Sequence, residues 1–340
     1  MSVRGTKHSK SCRIYEYFNN AKAKISPLKS GSDLWALLKG RCFQMKKRIF
    51  TGAGTALITP MNADGSVNFS RLESLVDEQI NAGIDALIVC GTTGEKSTLR
   101  YDEHVKVIEV AAKVCNKRVP IIAGTGSNDT VYSVELCKDA EDVGADAFLM
   151  VTPYYNKTSQ NGLVAHYNYI ADRVNKPIIL YNVPSRTGVA IKPETYKELS
   201  KHPNIVAVKE ANGDLSSVAT TKYLCGDELD IYSGNDDQTV PILSLGGIGV
   251  ISVLSNLKPD VMHNICDLYL SGKTKEASNL QIKYTGLMNA LFSDVNPIPI
   301  KEAMNMAGMD VGPCRLPLYP MSDSAKQNLA KRIKECGIEI

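Results

Sequence analysis

Histidine is scarce in this sequence. There are five in 340 residues, and none stands at the end of a strand-like run. His104, His166 and His202 fall in helical segments or at their ends, and His263 lies beyond the last strand pattern. A metal site and histidine-activated nucleophilic chemistry are therefore disfavoured. Nine cysteines are scattered with no CxxC pair and no Cys/His ligand spacing. That argues against zinc and disulfides and for reduced cysteines in a cytoplasmic compartment. No apolar run is long enough to span a bilayer, so no membrane partner is expected. No apolar core follows the first charges as a secretory signal requires. A glycine-rich first turn, the mark of a dinucleotide-binding sheet, is also missing.

Charge of either sign is not in excess overall, but it is unevenly placed. Residues 1–44 carry nine Lys/Arg and two Asp/Glu, whereas the remainder carries 30 and 34. The body is mildly acidic and offers no basic surface for nucleic acid. Residues 1–44 also hold the only tryptophan, Trp35. Four readings of this basic extension stay open: translation that begins at Met45, a disordered tail, an organelle transit peptide, or a basic docking arm.

From residue 45 onward the pattern is regular. Short apolar runs occur at 54–58, 86–90, 120–123, 147–151, 177–181, 205–208, 229–232 and 249–253. Segments with helical spacing lie between them, such as Leu72, Leu75, Val76 and Ile80. Asn68 and Asp129 stand where N-caps belong, and Gly83 and Gly144 where helices end. Eight strand–helix units predict a (β/α)8 TIM barrel over 45–270. Residues 271–340 add helical patterns at 275–291, 298–306 and 322–336, more than a barrel needs. They predict a C-terminal helical region.

In such a barrel, functional groups sit at the C-terminal ends of strands. The run Ile205-Val206-Ala207-Val208 ends in Lys209-Glu210. Either Lys209 reaches water or pairs with Glu210, or burial depresses its pKa and leaves a nucleophilic amine. Gly91-Thr92-Thr93-Gly94-Glu95 can cradle a small carboxylate or simply make a tight turn. Tyr181 is a phenol for the barrel mouth or a core tyrosine, and Arg186 a carboxylate clamp or a solvated charge. Tyr154 and Tyr155 suit packing or an interface. Ser233-Gly234-Asn235-Asp236-Asp237 is a turn with an N-cap, and the glycines of 246–249 make a close-packed turn.

Taken in order, these strand-end motifs resemble the dihydrodipicolinate synthase family, the 4-hydroxy-tetrahydrodipicolinate synthases. The motifs are Gly91–Glu95, Pro153-Tyr154-Tyr155-Asn156, Tyr181–Gly188, Val208–Ala211, Gly249–Val253 and Asn296-Pro297-Ile298-Pro299-Ile300-Lys301. The resemblance implies a lyase of lysine and diaminopimelate biosynthesis that condenses pyruvate with L-aspartate 4-semialdehyde. It implies that Lys209 forms the Schiff base, and that Tyr181, Thr93 and Tyr155 are catalytic. Thr92 and Thr93 would hold pyruvate's carboxylate and help relay protons, and Arg186 would bind the second substrate. Gly234 and Ile251 would line the pyruvate pocket. Tyr155 would reach a neighbouring subunit, in a homotetramer built as a dimer of dimers. No metal or other cofactor is implied, because the substrate imine does the work.

N-acetylneuraminate lyases and keto-deoxy-sugar aldolases resemble the same pattern but typically lack the arginine at position 186. A barrel kept as a non-catalytic binding protein would have lost Lys209 or the Thr–Tyr relay, and neither is lost. Feedback-sensitive relatives use a glutamate to bind lysine where this chain has Tyr132, with Tyr101 and Lys96 nearby. Weak or absent inhibition by lysine is therefore expected.

Overall fold

The computed structural model describes residue 46 and residues 48–340. The basic extension 1–44, with Trp35, lies outside them. Eight strands form a closed barrel in chain order: β1 Gly52–Ala56, β2 Ala86–Val89, β3 Ile121–Gly124, β4 Ala147–Val151, β5 Ile178–Asn182, β6 Ile205–Glu210, β7 Asp230–Ser233 and β8 Gly249–Ser252. Neighbouring strands run parallel, and β8 pairs back on β1. The (β/α)8 barrel expected from the sequence is the fold observed.

The helices follow the strands. They are α1 Phe69–Asn81, α2 Tyr101–Cys115, α3 Thr130–Asp142, α4 Gln160–Ala171, the short α5 Pro184–Thr187 with α6 Pro193–Leu199, α7 Leu215–Cys225, α8 Thr239–Ser244 and α9 Pro259–Leu270. Three further helices, α10 Thr274–Ala290, α11 Ile298–Met306 and α12 Asp323–Glu335, lie beyond the barrel units. The Asn68 side chain caps α1 through Arg71 N, and Asp129 caps α3 through Val131 N and Tyr132 N. Gly83 and Gly144 follow α1 and α3 with φ of +87° and +111°, a backbone conformation that glycine adopts without penalty.

Two apolar layers result from the period of two along each strand. Inside the barrel lie Ile88, Ile122, Leu149, Ile179, Ala207, Tyr232 and Ile251, with Phe50 closing the bottom, its ring stacked on Tyr232. Between barrel and helices lie the outward residues, such as Leu87, Phe148, Leu180 and Val208, packed on Leu72, Ile108 and Tyr167. Burying each such aliphatic side chain contributes roughly 1.5–3 kcal/mol. No helix among the described residues is long and apolar enough to cross a membrane.

Two boundaries differ from expectation for a tertiary reason. β1 begins at Gly52 because Gly52 and Ala53 pair with Gly249 and Val250 to close the barrel. Gly249 is required there, since a Cβ would sit 2.0 Å from the Gly52 carbonyl oxygen. β6 runs on through Lys209 and Glu210, which pair with both β5 and β7.

Candidate active site

The position of Lys209 follows from strand geometry. It lies two residues after the inward-facing Ala207 and so points into the barrel mouth. Across β5 and β6 the register shifts: Ile178 is opposite Ile205, but Ile179 is opposite Ala207. This bulge places both Val206 and Ala207 on the inner face and sets Tyr181 opposite Lys209. The Lys209 Nζ lies 4.5 Å from the centre of the Tyr181 ring.

Lys209 is 5% exposed, and no carboxylate forms an ion pair with it among the described residues. Burial lowers its pKa to about 8, with Asp236 opposing the shift and Arg186 adding to it. Pairing with Glu210 is not the arrangement found. Glu210 faces the other side of β6, where Asn182 Nδ2, the Tyr196 hydroxyl and Asn212 N donate to its carboxylate. Burial raises Glu210 to about 7. Tyr181 is buried, which raises its phenol pKa, while the Arg186 charge and the Thr92 hydroxyl oppose the rise.

The loop after β2 is shaped by its last two residues. At Gly94 a Cβ would stand 3.0 Å from the Leu57 carbonyl oxygen and 3.1 Å from Cys90 N. Glu95 takes a left-handed φ of +55°. Its Oε1 accepts from Lys301 Nζ at 2.6 Å and its Oε2 from Arg315 N at 2.8 Å. Both charged groups of that pair are almost fully buried. The Thr93 Oγ1 accepts from Asn296 Nδ2 at 3.0 Å. The C-terminal helical region therefore backs the loop directly.

The remaining expected residues divide into two groups. Ile251 is buried on the inner face of β8. Gly234 follows β7 so close to the end of β6 that a Cβ would meet Ala211 Cβ at 2.6 Å. Its N–H donates to Glu210 O. Arg186 is exposed at the rim, and its Nη2 donates to Asn296 O at 3.2 Å. Tyr155 stands apart. It is 93% exposed and holds a left-handed φ of +68°.

Sequence reading passed over Asp236 and treated it as part of a turn. It is 2% exposed, and its Oδ2 accepts from Val253 N at 3.1 Å and Leu254 N at 2.8 Å. Its Oδ1 has no partner, and its charge acts on Lys209. The paired aspartates after a strand were the available signal, but a surface turn carries the same pattern.

Fold and site together define a class: a (β/α)8 protein with a buried, unpaired amine at the C-terminal end of its barrel. The chain belongs to the dihydrodipicolinate synthetase family, whose model matches residues 49–336. It is 54% identical over 290 residues to the 4-hydroxy-tetrahydrodipicolinate synthase of Clostridium perfringens, covering 85% of this chain and 99% of that protein. The Caldicellulosiruptor saccharolyticus protein of that name is likewise 54% identical, over 86% of this chain and 99% of its own length. Among solved structures, dihydrodipicolinate synthase from Acinetobacter baumannii complexed with pyruvate superposes with a TM-score of 0.84. It shares 42% identity over 86% of this chain and 100% of that one.

Proposed function

We propose that this protein condenses pyruvate with L-aspartate 4-semialdehyde to 4-hydroxy-tetrahydrodipicolinate, as a lyase of diaminopimelate and lysine biosynthesis. The observation that carries the reading is Lys209: a buried amine at the barrel mouth with a pKa of about 8 and no ion pair. The relatives' name supplies the product, and the Acinetobacter baumannii structure is complexed with pyruvate.

The neutral Lys209 amine attacks the pyruvate carbonyl carbon and water leaves, giving the imine. Loss of a methyl proton forms the enamine, whose carbon adds to the aldehyde. The second substrate's own amine then displaces Lys209 and closes the ring. Thr92 and Thr93 hold pyruvate's carboxylate. Tyr181, with its phenol beside Thr92, carries protons. Its raised pKa keeps the phenol protonated, so it serves as a conduit and not as a free base. Asp236 faces the charge that appears on Lys209 as the iminium. Arg186 binds the carboxylate of the aldehyde substrate, which a sugar acid would not need. Gly234 and Ile251 line the pyruvate pocket.

Tyr155 completes the relay from a second copy of the chain. An aromatic side chain left in water on a strained backbone suits a role met in an assembly. A dimer is then the smallest active unit and a dimer of dimers the expected tetramer. We assign the reaction to the cytoplasm, which suits the seven free cysteines of the described residues.

Borohydride reduction in the presence of pyruvate tests the chemistry. A reduced adduct on the peptide carrying Lys209 is the expected result, followed by turnover with aspartate semialdehyde and not with sugar aldehydes. A folded protein that forms no adduct would overturn the proposal.

A further inference from the structure

The motif Asn296-Pro297-Ile298-Pro299-Ile300-Lys301 has no part in the reaction as described, yet its first residue enters the site. Asn296 is buried. Its Nδ2 donates to Thr93 Oγ1 at 3.0 Å, and its main-chain oxygen accepts from Arg186 Nη2 at 3.2 Å. We infer that Asn296 is a positioning residue that sets the two carboxylate anchors of the site, Thr93 and Arg186, relative to one another. The inference rests on the function proposed above and adds a residue to it.

Three observations support it. First, a threonine hydroxyl has one proton and two lone pairs. An amide N–H that donates to Thr93 Oγ1 fills a lone pair and leaves the hydroxyl proton free to donate, which is the polarity a bound carboxylate requires. Second, Asn296 Oδ1 is buried without a partner. A buried unpaired acceptor costs stability, and such groups are retained where function needs the other end of the side chain. Third, the segment cannot drift relative to the loop it serves. Lys301, five residues on, is bonded to Glu95 at 2.6 Å and to the Pro313 carbonyl at 2.7 Å. Glu95 belongs to the same turn as Thr93. One short stretch before and within α11 thus holds the pyruvate side of the site by a side chain and the aldehyde side by a carbonyl.

The side-chain arm can be removed by substitution, whereas the carbonyl arm cannot. The test measures borohydride trapping against pyruvate concentration in the full chain, for Asn296→Ala and Asn296→Asp. In Asn296→Ala the half-saturating pyruvate concentration rises about tenfold, the scale of one hydrogen bond to a bound anion. In Asn296→Asp it rises further, because a carboxylate takes the Thr93 proton for itself and repels pyruvate's charge. In Asn296→Ala the maximal trapping rate at saturating pyruvate stays within about twofold of the unsubstituted protein, since Lys209 is untouched and the Thr93 proton stays free. Aspartate is isosteric with asparagine, so the comparison survives if the alanine variant folds poorly. Unchanged half-saturation in a folded variant overturns the inference alone. So does a fall in the maximal rate with half-saturation unchanged, which marks a structural role. Absence of trapping by the unsubstituted protein overturns the functional reading and the inference with it.

Discussion

Two buried lysines in this molecule meet opposite fates. At the seam between the loop after β2 and the C-terminal helices, Lys301 is 2% exposed and bonded to Glu95, which is as deeply buried. At the barrel mouth, Lys209 is almost as buried but has no ion-pair partner, and its pKa falls to about 8. The first arrangement resolves the cost of burying a charge by pairing it. The second resolves it by making the neutral amine accessible near physiological pH. A paired lysine is a strut, and an unpaired one is a nucleophile in waiting. Lys96 is an intermediate case. Burial lowers its pKa also to about 8, but its ammonium is bonded to the Gly126 carbonyl, behind the site.

The largest expected effect breaks the comparison at the mouth. Lys209→Ala abolishes the pyruvate adduct and lowers turnover by roughly 10⁴-fold or more, the scale on which loss of a covalent group acts. The variant keeps its fold, because Asp236, the carboxylate facing the lost amine, keeps its main-chain donors Val253 N and Leu254 N. Lys301→Met acts at the seam and should do the reverse. It leaves Glu95 buried and unpaired, and should cost about 3–5 kcal/mol in urea unfolding. The double variant Lys301→Met with Glu95→Gln should recover part of that loss. If Lys301→Met unfolds at the same urea concentration as the parent protein, the seam is not a strut.

Smaller effects sharpen the contrast. With its pKa near 8, Lys209 is only about a tenth neutral at pH 7. The sign follows directly: trapping at subsaturating pyruvate should speed up as pH rises from 6 to 8 and level off above about 9. A rate flat with pH over that range would show that the amine is already neutral. Peptide mapping of the trapped protein should find the adduct at Lys209 and none at Lys96, since a depressed pKa without a place for the ketone gives no imine. The smallest effect concerns regulation. Submillimolar lysine should leave turnover unchanged if the resemblance is right that Tyr132, edge-on to Tyr101 at 5.8 Å, replaces the glutamate of feedback-sensitive relatives. Clear inhibition in that range would contradict it.

Much of this was legible in the residues themselves. Periodicity of two and of 3.6 is imposed by backbone geometry, so the eight strands and the helices at 298–306 and beyond could be read within a residue or two. The candidate groups at strand ends were legible for the same reason, because a parallel barrel opens at one end only. What stayed hidden were contacts between residues far apart in the chain. Asp236 looked like a turn residue because nothing in its neighbours announces Val253 N and Leu254 N, which bind it. Asn296 lies 203 residues from Thr93, and no local pattern ties them.

The architecture and the candidate groups at the barrel mouth follow from the residues alone, because hydrophobic period and strand-end position are local properties. Which lysine is paired and which is free was settled by packing. It also decided that a register shift between β5 and β6 sets Tyr181 opposite Lys209, and that the C-terminal helical region holds the loop after β2. These are matters of distance and dielectric between separate segments, and they exist only once the barrel has closed.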